Sequence, residues 1–141
     1  MDAMFSSATS FNQQLDNWDV SKVTDMGGMF GFTTSFNQPL NNWDVSKVTD
    51  MRSMFYTTTL FNQPLYNWNV SQVTTMDYMF GFTDFNQDLS QWDVSNVTTM
   101  EFMFDDSSLS TTNLTSIYEN WSLLTLQENV IFGAEGIKYN S

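Results

Sequence analysis

The stretch "FNQPLNNWDVSKVTDM", from Phe36 to Met51, is one of four nearly identical copies in this chain. The other copies begin at Phe11, Phe61 and Phe85, so the intervals between starting points are 25, 25 and 24 residues. A fixed period of this length is typical of solenoid proteins, in which each repeat buries its apolar side only against its neighbours. The sequence therefore predicts a stack of repeats.

We expect the 141 residues to form one domain. Its predicted parts are a partial N-terminal repeat at 1–10, repeats at 11–35, 36–60, 61–84 and 85–109, and a C-terminal cap at 110–141. The sequence starts halfway through a repeat, since Met1 and Met4 match Met26 and Met29. We expect it to come from a longer array, because a natural first repeat would carry a polar cap.

Within each repeat, the spacing of apolar residues changes from that of a strand to that of a helix. Trp18 and Val20 flank Asp19, which predicts a short strand with both apolar side chains directed inward. The next apolar residues are spaced as on one helical face: Val23, Met26, Met29 and Phe30. The prediction is an α/β solenoid with one short parallel strand and one short helix in each repeat.

The repeat pattern ends after Phe104. The following segment has apolar residues at helical spacing: Leu114, Ile117, Tyr118 and Trp121. The stretch "ENVIFGAEGIKY", from Glu128 to Tyr139, predicts one or two strands around a turn that contains glycine. We expect this whole segment to cover the apolar side of the last repeat.

The composition excludes several classes of function. The net charge is −12, from 16 acidic and 4 basic residues, and the basic residues are scattered: Lys22, Lys47, Arg52 and Lys138. Nucleic acid and anionic membrane surfaces are therefore not expected partners. No run of 18 apolar residues exists, so this segment is not expected to insert into a membrane.

We predict that the chain is not an enzyme. It contains neither His nor Cys, which removes the commonest general base, thiol nucleophiles and the usual zinc ligands. A glycosidase can work with two carboxylates alone, but here the repeat distributes the acidic residues and no pair stands out. No cofactor is expected.

The repeated motif "WDVSxVTxMxxMF…FNQ" resembles that of BspA-like leucine-rich-repeat proteins of bacterial surfaces and of certain lipoproteins. The resemblance extends from Met1 to about Ser110, and "LSTTNLTSIYENWS" is similar to the closing segment of such arrays. It implies a right-handed, leucine-rich-repeat-like solenoid at a cell surface, with a role in adhesion. It implies no catalytic residues.

If the strands stack, their outward positions form polar columns, which we expect to make a flat surface for a ligand. The predicted columns are Asn17, Asn42, Asn67 and Gln91; Asp19, Asp44, Asn69 and Asp93; and Ser21, Ser46, Ser71 and Ser95. Alternatively, the Asp and Ser side chains bond backbone N–H groups in the next turn. Calcium is a further alternative for the Asp column, although no calcium-binding loop motif occurs.

The constant aromatic positions are expected to form a stacked core rather than a surface for sugars: Phe11, Phe36, Phe61 and Phe85, with Trp18, Trp43, Trp68 and Trp92. Recognition is expected instead at positions that vary between copies. One such position holds Gly28, Ser53, Tyr78 and Phe102, and another holds Asp16, Asn41, Tyr66 and Ser90. Tyr66 and Tyr78 are the predicted exposed aromatic contacts.

These observations leave three hypotheses. The first is a binding or adhesion module, extracellular or at the cell surface, whose partner is a protein or a glycan on another surface. The second is a passive spacer within a longer surface protein, and the third is a calcium-dependent binding module. We expect any export signal or anchor to lie outside these 141 residues, and the exposed N-terminal half-repeat predicts end-to-end association.

Overall fold

The computed structural model describes residues 1–137, and its one α-helix there is α1 (Thr111–Trp121). Turns make up most of each repeat. Instead of extended strands, residues 1–137 contain isolated parallel bridges, which join Asp25 to Asp50, Asp50 to Thr75, Thr75 to Thr99, and Met100 to Phe132. The first three bridges connect equivalent positions of successive repeats, so the repeats lie side by side in register.

The backbone path within a repeat differs from the predicted strand and helix. No bridge forms at Trp18–Val20, and the segment from Met26 to Thr33, where a helix was expected, contains consecutive turns from Gly27 to Phe32. In that segment alternate N–H groups donate to the next repeat at 2.8–3.0 Å, and the N–H groups of Met29, Gly31 and Thr33 donate three residues back at 2.9–3.2 Å. An α-helix would instead use every N–H group after its first turn internally and leave those groups unavailable to the neighbouring repeat.

Left-handed residues produce this alternation. Each turn segment has two residues with positive φ, four positions apart, such as Gly28 (58°) with Phe32 (59°) and Ser53 (53°) with Thr57 (55°). The same two positions are left-handed in the other repeats. Because only glycine adopts this conformation without steric cost, the N–H groups that bind the next repeat are gained at the expense of local strain.

The core consists of columns of stacked rings, as expected for the constant Phe positions. Phe5, Phe30, Phe55, Phe80 and Phe104 form one column, with ring centroids 5.5–5.6 Å apart. These centroid distances lie in the range of favourable contacts between aromatic rings. Phe36, Phe61 and Phe85 form a second buried column beside the first.

The Trp column is buried except at its first member. Trp43, Trp68 and Trp92 are at most 3% exposed, whereas Trp18 is 41% exposed. Each buried indole donates to a Leu carbonyl of the preceding repeat, at 2.8–3.1 Å. Trp18 still faces the core as predicted, since its ring lies 5.8 Å from that of Phe5, as that of Trp43 lies 6.3 Å from Phe30. It is more exposed because no preceding repeat among residues 1–137 covers it.

The C-terminal segment closes the stack in two ways. Helix α1, which the apolar spacing predicts correctly, buries Ile117 and Trp121. Ser110 caps its N-terminus, since the Ser110 hydroxyl accepts a hydrogen bond from the N–H group of Asn113. Farther along, the carbonyls of Gly133 and Glu135 accept bonds from the last repeat, each at 2.9 Å. The segment predicted as strands forms a single bridge, at Phe132, because its bonds to the last repeat follow the turn pattern. Lys138 and Tyr139 lie outside the described residues.

Within residues 1–137, no helix has the length and apolar content needed to cross a membrane.

Candidate functional site

The predicted Asp column lies at the surface, with its side chains engaged in local turns. Asp44 accepts hydrogen bonds from the N–H group of Ser46 at 3.1 Å and from its hydroxyl at 2.6 Å. Asn69 accepts the corresponding bonds from Ser71 at 3.1 and 2.7 Å. Asp19 and Asp93 also accept from the N–H group two residues later. This is the backbone-bonding alternative considered above, and it explains the Asp-x-Ser pattern without a ligand.

These turns also affect the acidity of the column. Hydrogen bonds from the hydroxyl and the N–H group of the following serine stabilise the charged form, so the pKa values of Asp19, Asp44 and Asp93 are lowered below 3.8. All three side chains are exposed. These three Asp side chains are therefore ionised at neutral pH, and Asn69 is the uncharged member of the column.

The Asn residues join repeats to one another. Asn42 and Asn67 are exposed, and the N–H group of Asn67 donates to the side-chain oxygen of Asn41 at 3.0 Å. The Asn-Gln pairs are similar: the Asn12 side-chain oxygen accepts from the Asn37 N–H group and from the Gln38 side-chain amide, each at 3.0 Å. These amides stabilise the stack. In the described part of the chain, no three acidic side chains converge where they could hold a metal ion.

A different surface stands out as the candidate binding site. Five aromatic rings on the outer side of the turn segments contact one another, and we call them the aromatic row: Phe32, Tyr56, Tyr78, Phe82 and Phe102. Tyr56 is at the centre, with its ring perpendicular to three neighbours at centroid distances of 5.4–5.8 Å. Tyr78 stacks on Phe102 at 4.8 Å. Four of the five side chains are 40–47% exposed.

The local sequence explains the position of Tyr56. Gly31 and Gly81 occupy the same repeat position on either side of it. A Cβ atom at Gly81 would lie only 3.2 Å from the Tyr56 ring, so the missing side chain makes room for that ring. On its other side, a shallow groove of about 410 Å³ is lined by Ser6, Gly28, Gly31, Phe32, Ser53, Tyr56 and Tyr78.

The two predicted aromatic contacts have different surroundings. Tyr78 belongs to the aromatic row, whereas Tyr66 is 61% exposed and makes none of the ring contacts found among residues 1–137. Sequence comparison between copies missed Phe32, Tyr56 and Phe82. Their positions also vary between repeats, with Thr57 at the position of Phe32 and Phe82, so the comparison that found Tyr78 contained the signal for them.

A buried polar column was missed as well. Thr33, Thr58 and Thr83 are at most 3% exposed, and the hydroxyls of Thr33 and Thr58 donate to Phe carbonyls of the preceding repeat at 2.6 Å. Thr83 bonds Phe80 within its own repeat instead. That repeat is one residue shorter in the loop that follows.

Comparison with known proteins identifies one family. A family model described as "Mycoplasma protein of unknown function, DUF285" matches residues 1–83 and, in a second overlapping match, residues 46–137. No curated protein matches the sequence, and no solved structure matches it.

Proposed function

This chain belongs to the DUF285 family, and we propose that it is a non-enzymatic binding module of a cell-surface protein. The observation that carries this proposal is the aromatic row, with four of its five rings 40–47% exposed. Soluble proteins seldom leave contiguous apolar surface in water unless it binds something. Aromatic residues are also the side chains that contribute most to binding energy at protein interfaces.

We further propose that the repeats form a right-handed, leucine-rich-repeat-like solenoid related to BspA-like surface proteins. The motif "WDVSxVTxMxxMF…FNQ" and the in-register hydrogen bonds between successive repeats support this proposal. The cell-surface location and the adhesion role follow from that resemblance. Repetition suits adhesion, because several weak contacts on one chain combine into a strong attachment.

The test is a screen of the whole chain against glycan and protein arrays, followed by the double variant Tyr78→Ser/Phe82→Thr. Ser53 and Thr57 occupy the same two positions with the same left-handed conformation, so the variant uses residues that the fold already accommodates. We expect the variant to keep its stability and to lose affinity at least about tenfold, or ~1.4 kcal/mol.

The matched control is Tyr66→Asn, which removes an even more exposed ring outside the aromatic row and places there the residue found at position 41. We expect this control to bind like the wild type. Saturable binding that survives loss of Tyr78 and Phe82 would contradict the role of the aromatic row. Failure of every array to yield a ligand would favour the passive spacer, and loss of binding on chelation would favour the calcium-dependent module.

A further inference from the structure

A second groove lies at the C-terminal end of the aromatic row. It has a volume of about 510 Å³, and it lies between the last repeat and the segment that covers it. We call it the terminal groove, and its aromatic and acidic lining residues are Glu101, Phe102, Asp105, Tyr118, Phe132 and Glu135.

The terminal groove continues the aromatic row. Phe102 belongs to both, since it lines the groove and stacks on Tyr78 at a centroid distance of 4.8 Å. Tyr118, from helix α1, meets Phe132 edge to face at 5.2 Å and supplies a second pair of rings. A partner that lies along the row would therefore reach this groove without leaving aromatic surface.

Within residues 1–137, no ion pair is found at the carboxylates of the groove. Asp105 accepts a hydrogen bond from the N–H group of Glu135 at 2.9 Å, which holds the two acidic residues together. The basic side chains within residues 1–137 are Lys22, Lys47 and Arg52. The one ion pair found there joins Arg52 to Asp50, away from the groove.

We propose that the terminal groove binds an arginine or lysine side chain of a partner protein. Aromatic faces attract cations through their quadrupole, and nearby carboxylates add direct charge attraction. The net charge of −12 also favours a positively charged partner. The inference deepens the proposed binding function and rests on it, because it assigns that function a basic protein partner rather than a neutral glycan.

The experiment titrates the whole chain with a nine-residue peptide that alternates glycine and arginine, and with the same peptide carrying citrulline instead of arginine. Citrulline has nearly the same shape and no charge. Calorimetry at one fixed ionic strength measures both affinities. We expect saturable binding of the arginine peptide and at least about tenfold weaker binding of the citrulline peptide.

The decisive variant is Glu101→Gln/Glu135→Gln, which removes two charges from the groove and leaves the Asp105 hydrogen bond in place. The matched control is Asp16→Asn/Asp88→Asn, which removes two charges outside the groove. We expect the groove variant to lose about tenfold in affinity for the arginine peptide, and the control less than about twofold. A circular dichroism melt of each variant checks that both fold.

Equal losses in the two variants would overturn the inference, because they would show attraction by overall charge alone. Absence of saturable binding to the wild type would overturn it as well. Failure here is distinguishable from failure of the proposed function. If an array ligand is lost in Tyr78→Ser/Phe82→Thr but binds Glu101→Gln/Glu135→Gln normally, the binding module stands and the basic partner does not.

Discussion

The indole N–H of Trp68 donates a hydrogen bond to the backbone oxygen of Leu40, which is 2.8 Å away and 28 residues earlier in the chain. The same oxygen also accepts from the backbone N–H of Trp43, at 3.0 Å. The arrangement recurs between Trp43 and Leu15, between Trp92 and Leu65, and between Trp121 and Leu89. Helix α1 thus ends the stack by supplying the indole that a further repeat would have supplied.

Trp68→Phe tests the strength of this bond between repeats. The change removes the indole N–H and part of the volume of a ring that is only 3% exposed. We expect the free energy of unfolding to fall by about 2 kcal/mol, from the lost hydrogen bond and imperfect repacking. Denaturant titration measures it.

The control for that change is Trp18→Phe, at the equivalent position where the side chain is 41% exposed. We expect this variant to lose less than about 0.5 kcal/mol, as is usual for surface substitutions. Equal losses in the two variants would mean that the indole bonds contribute nothing to stability.

The apolar columns could be predicted from the sequence, because both the length of the repeat and the apolar positions within it are visible there. Phe55 and Trp68 are constant-position residues, and both are buried. Helix α1 was predictable for the same reason, since Ile117 and Trp121 have helical spacing and lie on its buried face.

The backbone path was not predictable, because most of the residues in the left-handed conformation are not of a type that favours it. Gly28 is the one glycine in a column that also contains Ser53, Tyr78 and Phe102. The spacing of Met26, Met29 and Phe30 indicates a helix, yet a run of turns directs the same three side chains into the core. The aromatic row was also hidden, because its members come from separate variable positions that meet only once the repeats are stacked.

The Asp column predicts a specific response to acid. Because the folded pKa values of Asp19, Asp44 and Asp93 lie below the ordinary 3.8, their ionisation stabilises the fold above that pH. This contribution is lost as the pH falls through the lower folded pKa values. We expect the triple variant Asp19→Asn/Asp44→Asn/Asp93→Asn to keep its turns, since Asn69 makes the same bonds with Ser71.

Denaturant titration at a series of pH values between about 6 and 3 measures this effect. The stability of the wild type should fall more steeply with acid than that of the triple variant. Parallel curves for the two proteins would show that these carboxylates are equally acidic in the folded and unfolded chains.

Ser53→Gly should stabilise the protein. Ser53 has a φ of 53°, and at the equivalent position Gly28 has 58°. Relief of the left-handed strain outweighs the greater freedom of glycine in the unfolded chain, so we expect a gain of about 0.5–1 kcal/mol. The control is Ser53→Ala, which removes the hydroxyl and keeps the strain. An equal gain from alanine would attribute the effect to the hydroxyl instead.

Gly133→Ala should detach the C-terminal segment from the last repeat. A Cβ atom at Gly133 would lie 2.0 Å from the backbone nitrogen of Phe102, so the segment must move away. The bonds from the N–H groups of Phe104 and Asp106 to this segment, each 2.9 Å long, are then lost. We expect the free energy of unfolding to fall by about 2 kcal/mol or more.

Amide hydrogen exchange shows where the hydrogen bonds are lost. The amides of Phe104 and Asp106 should exchange faster in Gly133→Ala. The amide of Phe80, which donates to the Met103 carbonyl at 2.8 Å, should stay protected. Ala134→Gly is the matched control, since it alters the neighbouring residue without adding an atom. Binding of the arginine peptide should weaken in Gly133→Ala as well, because Phe132 and Glu135 leave the terminal groove together with the segment. Unchanged exchange at Phe104 and Asp106 would mean that the last repeat is stable without this cover.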